Sequence, residues 1–258
     1  IMACVGSAVG LGNVWAFPYQ LGANGGLAFL IPYLFFTLIF GRVGLGAENA
    51  IGRRFKSGPM VVYKEAWKAK GHEKTGKILR WLPTVGVGLL SIGYAVIITY
   101  VIKALIDTLN GKLFAMESQA WFETISTNDF SVVLPHLILM VLVFISLAYE
   151  TKGIEKTNKF LMPVFFTLFL VLVIRVSLLE GAIDGYKFIF HLDMGKLKDI
   201  KVWIAAMGQA FFSLSLVGST MLVYGSYLPD TEDVVKASTT TASLDIMAAV
   251  SYTHLRAH

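Results

Sequence analysis

The chain has 258 residues, 55% hydrophobic and 15% charged, with a mean hydropathy of +0.66 and a formal net charge of +5. That balance excludes an ordinary soluble domain and indicates a polytopic membrane protein. One cysteine, Cys4, excludes a disulfide framework, the histidines lack metal-ligand spacing, and neither a phosphate loop nor a nucleophile turn is present.

The first predicted span, residues 1–23, cannot be a smooth helix. Gly6, Gly10 and Gly12 each weaken it by roughly 1 kcal/mol relative to alanine, Asn13 is polar, and Pro18 removes a backbone donor. Within a bilayer, a broken helix is tolerated only where its freed N–H and C=O groups face protein or a water-filled cavity. Free carbonyls suit a cation and free N–H groups an anion. The Gly6–Gly10 spacing also fits a helix-packing face, and on this stretch alone the two readings stand level. The chain opens inside this apolar segment and is read as a fragment.

The second span, residues 25–52, carries two ionisable groups, Arg42 and Glu48. Apolar sequence continues to Ile51, so Glu48 is read as buried and bracing a polar centre rather than hydrated at the surface. Arg42 lies six residues away, off the Glu48 face, and has no evident purpose. The loop Arg53–Arg80 is rich in lysine and arginine against only Glu65 and Glu73, which places it in the cytoplasm. Within it, Met60–Lys70 reads as an amphipathic helix at the interface.

A third span runs from Trp81 to Asp107. The acidic loop Leu109–Phe130 lies outside. A fourth span, Ser131–Tyr149, returns to a short basic turn with Lys152, Lys156 and Lys159, and a fifth runs from Phe160 to Leu179. The strongly basic loops fall on one side, giving a cytoplasmic N-terminus and accounting for the positive charge without nucleic acid. The sixth span, Val202–Tyr227, crowds Ser213, Ser215, Gly218, Ser219 and Thr220 into its middle. Such residues can satisfy freed backbone groups or hold a cation, and they also suit close helix packing. Two interrupted segments at the starts of two five-helix halves are the mark of an inverted-repeat transporter. Val234–Val250 begins a seventh span. Residues 251–258 fit a membrane poorly, resemble a translated sequencing adapter, and are expected to be a non-native tail.

The run Gly6–Tyr19, its continuation Asn24–Tyr33, the stretch Gly153–Pro163 and the stretch Val202–Leu216 resemble, in order, the first, second, fifth and sixth helix motifs of the neurotransmitter:sodium symporter family. The resemblance covers the chain from end to end. It implies an all-α integral membrane protein with the bacterial leucine-transporter-like inverted-repeat fold, truncated to the first five-helix repeat plus the sixth and part of the seventh helix. Helices one and six would be broken. Residues 1–258 would form a single transporter domain, incomplete at both ends, in the plasma (inner) membrane.

The resemblance also implies the function: sodium-coupled import of a neutral, hydrophobic amino acid by alternating access, with no enzymatic activity. A sodium-dependent amino-acid sensor without transport is the alternative on the same scaffold. For a first sodium it implies Ala8, Asn13, Ser213 and Asp245. For a second sodium it implies Gly6 and Val9, the rest of that site lying on an eighth helix. The substrate carboxylate would meet Leu11, Gly12 and Tyr94, and its ammonium Ala8, Phe212, Ser213 and Ser215. Leu90, Ile97, Ser215 and Gly218 would surround its side chain, and Gly10 would leave room for the carboxylate. Tyr94 and Phe212 would form an outer lid, with Glu48 as a brace. Three positions depart from the family pattern: Ala16 stands where a gating arginine is usual, Val217-Gly218-Ser219 lacks a bulky centre, and Arg42 replaces an apolar residue.

Overall fold

The structure, a computed structural model, describes residues 13, 16–127, 130–148, 150–216 and 218–253. It is helical throughout, and among the described residues the one β-type contact is an isolated bridge between Gly26 and Leu192. The chain divides into two compact units, residues 1–83 with 158–258, and residues 84–157. Among the described residues, three helices, Leu27–Phe55, Glu73–Leu109 and Lys156–Ser177, are long and apolar enough to cross a membrane, and Val133–Ala148 is a shorter apolar helix.

In the first unit, α1 (Phe17–Ala23) starts with Pro18 in its first turn, where a missing N–H costs nothing. Gly25 and Gly26 then turn the chain with φ of +86° and +58°. A Cβ on Gly26 would lie 2.6 Å from the Phe188 carbonyl, so glycine is needed for closeness as well as conformation. Helix α2 (Leu27–Ile39) continues through a π-helical stretch, Phe40–Leu45, into α3 (Gly46–Phe55). A side chain on Gly41 would overlap Ala242, so the wide turn sits where another helix presses against it. Arg42 is exposed on this stretch, and nothing in the structure explains it. Glu48 is half-buried on α3.

Helix α4 (Pro59–Ala69) lies where the amphipathic helix Met60–Lys70 is expected, and α5 (Glu73–Leu79), which reads as loop in the sequence, pairs with it in a hairpin. Helix α9 (Glu150–Ser177) begins about ten residues before the expected fifth span. The basic turn with Lys156 and Lys159 is therefore helical, because lysine and glutamate are good helix formers and only Gly153 interrupts them. Two short helices follow, α10 (Ala182–Phe190) and α11 (Met194–Lys198). Asp193 caps α11, accepting from the N–H groups of Gly195 and Lys196, which hold its carboxyl below the usual range.

The sixth segment is broken, as expected. Helix α12 (Ile200–Ser213) stops, Ser215 and Ser219 take left-handed φ of +54° and +60°, and α13 (Thr220–Tyr227) restarts the chain. Left-handed non-glycine residues cost about 1–3 kcal/mol each, so this elbow is held by its surroundings. Helix α14 (Val234–Thr253) is interspersed with hydroxyls and Asp245, which keeps it from reading as a plain apolar span.

The core of this unit stacks Phe17, Phe29 and Tyr33, with ring centroids of Phe17 and Tyr33 4.6 Å apart, against Val202, Ala206 and Ala210 of α12 and Ala249 of α14. Helices α3 and α13 cross with backbone against backbone. A Cβ on Gly52 would fall inside the Leu222 carbonyl, and one on Gly225 would lie 2.6 Å from Cα of Asn49. Around that crossing, Asn49 Nδ2 donates to Ser238 Oγ (3.0 Å), Arg53 donates to the Glu232 carbonyl (2.7 Å), and Lys56 pairs with Asp230 (2.8 Å).

The second unit contains most of α6 (Trp81–Leu109) with α7 (Ser118–Ser126) and α8 (Val133–Ala148). Asp107, buried, takes both Lys103 Nζ (2.6 Å) and Trp121 Nε1 (2.9 Å), which fastens α7 to the end of α6. Thr99 Oγ1 meets His136 Nδ1 at 3.0 Å and ties α6 to α8.

Gly52→Ala is expected to cost about 1–3 kcal/mol through overpacking at the α3–α13 crossing. Gly208→Ala is the control, because a Cβ at that position would meet nothing within 4 Å. Thermal unfolding in detergent checks both, and a Gly52→Ala protein as stable as the parent would contradict the packing described.

Candidate functional site

Four elements of the first unit bring one polar residue each to a single buried point. Asn13 precedes α1, Tyr33 lies on α2, Ser213 is the last residue of α12, and Asp245 lies midway along α14. Asn13, Tyr33 and Asp245 are fully buried and Ser213 nearly so. Asn13 Nδ2 donates to Asp245 Oδ1 at 2.7 Å and to the Asp245 carbonyl at 3.2 Å. Ser213 Oγ donates to the same Oδ1 at 2.6 Å and lies 3.3 Å from Asn13 Oδ1. Tyr33 completes the set, its hydroxyl donating to Asp245 Oδ2 at 3.1 Å.

Each member sits there for a local reason. The end of α12 at Ser213 carries the negative end of the helix dipole, and the N–H groups of Leu214, Ser215 and Leu216 fold back onto the carbonyls of Ala210, Phe212 and Phe211. Ala206, Ala210 and Ala249 keep α12 and α14 slim, so that the polar side chains can meet beside them. Tyr33 is locked by the Phe17 and Phe29 rings.

The electrostatics are unbalanced. Asp245 is a buried carboxylate, and its hydrogen-bond partners among the described residues are an amide, a hydroxyl and a phenol, all neutral. Burying an unpaired carboxylate costs several kcal/mol even after relaxation. Hydrogen bonds offset part of that, and a cation among the same oxygens would offset more. The donor set fits a hard monovalent cation: one carboxylate with neutral amide and hydroxyl oxygens, all of them oxygen ligands. Among the described residues, no cluster of three or more His, Cys, Asp or Glu could hold a multivalent metal.

The structure thus brings Asn13, Ser213 and Asp245 together, from positions as far as 232 residues apart. Phe212 and Ser215 flank the α12 break, Phe212 partly exposed and Ser215 half-buried, and Gly218 lies in the elbow. Leu90, Tyr94 and Ile97 share one face of α6, in the second unit. Gly6, Ala8, Val9, Gly10, Leu11 and Gly12 lie outside the described residues, as do Val217 and the end of the expected tail, residues 254–258. Tyr33 is a member of the site that the sequence does not announce. Its one signal there is a hydroxyl-bearing residue just after Pro32 in an otherwise apolar run.

A family model described as the sodium:neurotransmitter symporter family matches residues 1–131 and 112–254. The chain belongs to that family. Its members are transporters rather than enzymes. An uncharacterized sodium-dependent transporter of Bacillus subtilis is 33% identical over 254 residues, covering 97% of this chain and 55% of that protein. A sodium-dependent neutral amino acid transporter, B(0)AT3 of Mus musculus, is 31% identical over 290 residues, covering 97% of this chain and 45% of that protein. The crystal structure of MhsT in complex with L-phenylalanine matches with a TM-score of 0.83 and 33% identity, over 98% of this chain and 57% of that one. The chain therefore has the fold of this symporter family and spans about half the length of the relatives it matches.

Tyr33→Phe should cost about 1–3 kcal/mol, because it leaves Asp245 Oδ2 short of a donor with no change of shape. Tyr227→Phe, on an exposed side chain, should stay within about 0.5 kcal/mol. Equal melting temperatures for the two variants would contradict the hydrogen bond assigned to Tyr33.

Proposed function

We propose that the full-length protein couples sodium entry to import of a neutral, hydrophobic amino acid, and that Asn13, Ser213 and Asp245 help hold one of the sodium ions. The observation that carries this reading is the buried Asp245 carboxylate, ringed by neutral oxygen-bearing groups at the end of a broken helix. Sodium, carried as cargo, supplies the missing positive charge. Asn13 can grip the carboxylate with its amide nitrogen and give its amide oxygen to the ion, and the Ser213 hydroxyl lies between the two.

The substrate reading rests on the same break. A zwitterionic amino acid needs N–H donors for its carboxylate and carbonyl acceptors for its ammonium. The carbonyl end of α12 at Phe212–Ser213 suits the ammonium, with Ser215 beside it. We assign the carboxylate to the stretch Gly10–Gly12, with Ala8 contributing to both ion and substrate. Gly218 is assigned to the substrate side chain and Phe212 to its cover, and family resemblance alone adds Leu90, Tyr94 and Ile97 to the substrate-binding residues. A second sodium would use the carbonyls of Gly6 and Val9. Relatives named as sodium-dependent neutral amino acid transporters, and a neighbour solved with L-phenylalanine, support this choice of cargo. The basic hairpin after the second span supports a plasma-membrane orientation with the N-terminus in the cytoplasm.

Equilibrium binding of radiolabelled amino acids to the full-length protein, in sodium and in choline, tests the proposal. One or a few apolar amino acids should bind only with sodium. Asp245→Ala and Asn13→Ala should each weaken that binding roughly thirtyfold or more, the equivalent of a charge-assisted hydrogen bond. Binding that ignores both sodium and these substitutions would overturn the assignment. Sodium-dependent binding without uptake into liposomes would make the protein a sensor.

A further inference from the structure

The hairpin of α4 and α5 has a built surface that the transport reading does not use. Its helices touch along their backbones: a Cβ on Gly76 would lie 2.7 Å from Trp67 Cβ and 3.1 Å from the Lys64 carbonyl. Gly71 closes the turn with φ +80°, and the His72 ring meets the Trp67 ring edge to face. Both acidic residues are already engaged, Glu65 by Lys64 (3.6 Å) and Glu73 by Lys77 (2.9 Å). Lys68, Lys70 and Lys74 are exposed and have no ion-pair partner among the described residues.

The position of this surplus charge is informative. Helix α5 leads almost directly into α6, together an apolar helix long enough to span a membrane. Lys74, Ile78 and Leu82 fall at i, i+4 and i+8, on one face of it. Ile78 and Leu82 are both 73% exposed. This exposed stripe therefore runs out through Ile78 and ends, about 12 Å beyond Leu82, in a lysine. Relative to a span that begins at Trp81, such a rise would reach into the headgroup layer. Trp81, half exposed, has the Arg80 guanidinium 5.7 Å from its ring at the start of this span, and tryptophan is a residue that anchors helices at the membrane interface.

We propose that this hairpin is a docking surface for anionic phospholipid headgroups of the leaflet it borders, with Lys68, Lys70 and Lys74 as the contacts. Phosphate is the group recognised, and the lipid is its source, because Lys74 shares one face with the exposed Ile78 and Leu82. The full-length protein in nanodiscs tests this by amide hydrogen exchange across residues 59–80. Discs containing phosphatidylglycerol should slow exchange roughly tenfold relative to pure phosphatidylcholine, and high salt should remove the difference. The Lys68→Gln/Lys70→Gln/Lys74→Gln protein, with an unchanged melting temperature, should exchange equally in both. Equal exchange of the parent in both lipids would overturn the proposal. So would protection that survives the triple substitution, or equal protection by inorganic phosphate in phosphatidylcholine discs.

Discussion

A carboxylate buried without a cationic partner among the described residues is the constraint on which this structure turns. Asp245 lies fully inside the first unit, and a carboxylate there is stable only if every oxygen is engaged. Asn13, Tyr33 and Ser213 provide that engagement from three other segments, so one side chain fixes how the segment before α1, α2, α12 and α14 meet. Because all three partners are neutral, the arrangement keeps a net negative charge at its centre. That charge is the reason a cation is proposed here, and a single carboxylate suits a monovalent one.

The backbone is arranged to serve this point. The helix breaks between α12 and α13 just after Ser213, and Ser215 and Ser219, both left-handed, form the elbow. Close packing below it depends on absent side chains: Gly52 and Gly225 let α3 and α13 touch, and Gly41 lets α14 press on the π-helical stretch. Polar clasps from Arg53 and Lys56 to the segment Leu228–Glu232 tie the same helices together at one end. Strain at the elbow is thus compensated by extensive packing on both sides of it.

Much of this is legible in the chain, for reasons that differ by residue. Asn13 and Ser213 are polar groups in apolar segments next to glycine or serine, a pattern that marks broken helices, and family resemblance adds Asp245. The broken sixth segment follows from Ser215, Gly218 and Ser219. Tyr33 escapes such reasoning because an aromatic residue in an apolar helix reads as core or lipid-facing, and only the fold reveals where its hydroxyl points. The crossings at Gly52 and Gly225 are also invisible in the sequence, since a glycine's role there depends on a backbone from a distant part of the chain. The start of α9 differs from the expected one because a charged stretch reads as a turn, while lysine and glutamate favour helix.

Direct binding of radioactive sodium to the full-length protein, with no amino acid present, tests the central claim most directly. The account predicts saturable binding that loses one equivalent of sodium per protein when Asp245 is replaced by alanine, in a variant that still folds. Retention of the full complement of bound sodium by that variant would show that the buried carboxylate serves the fold alone.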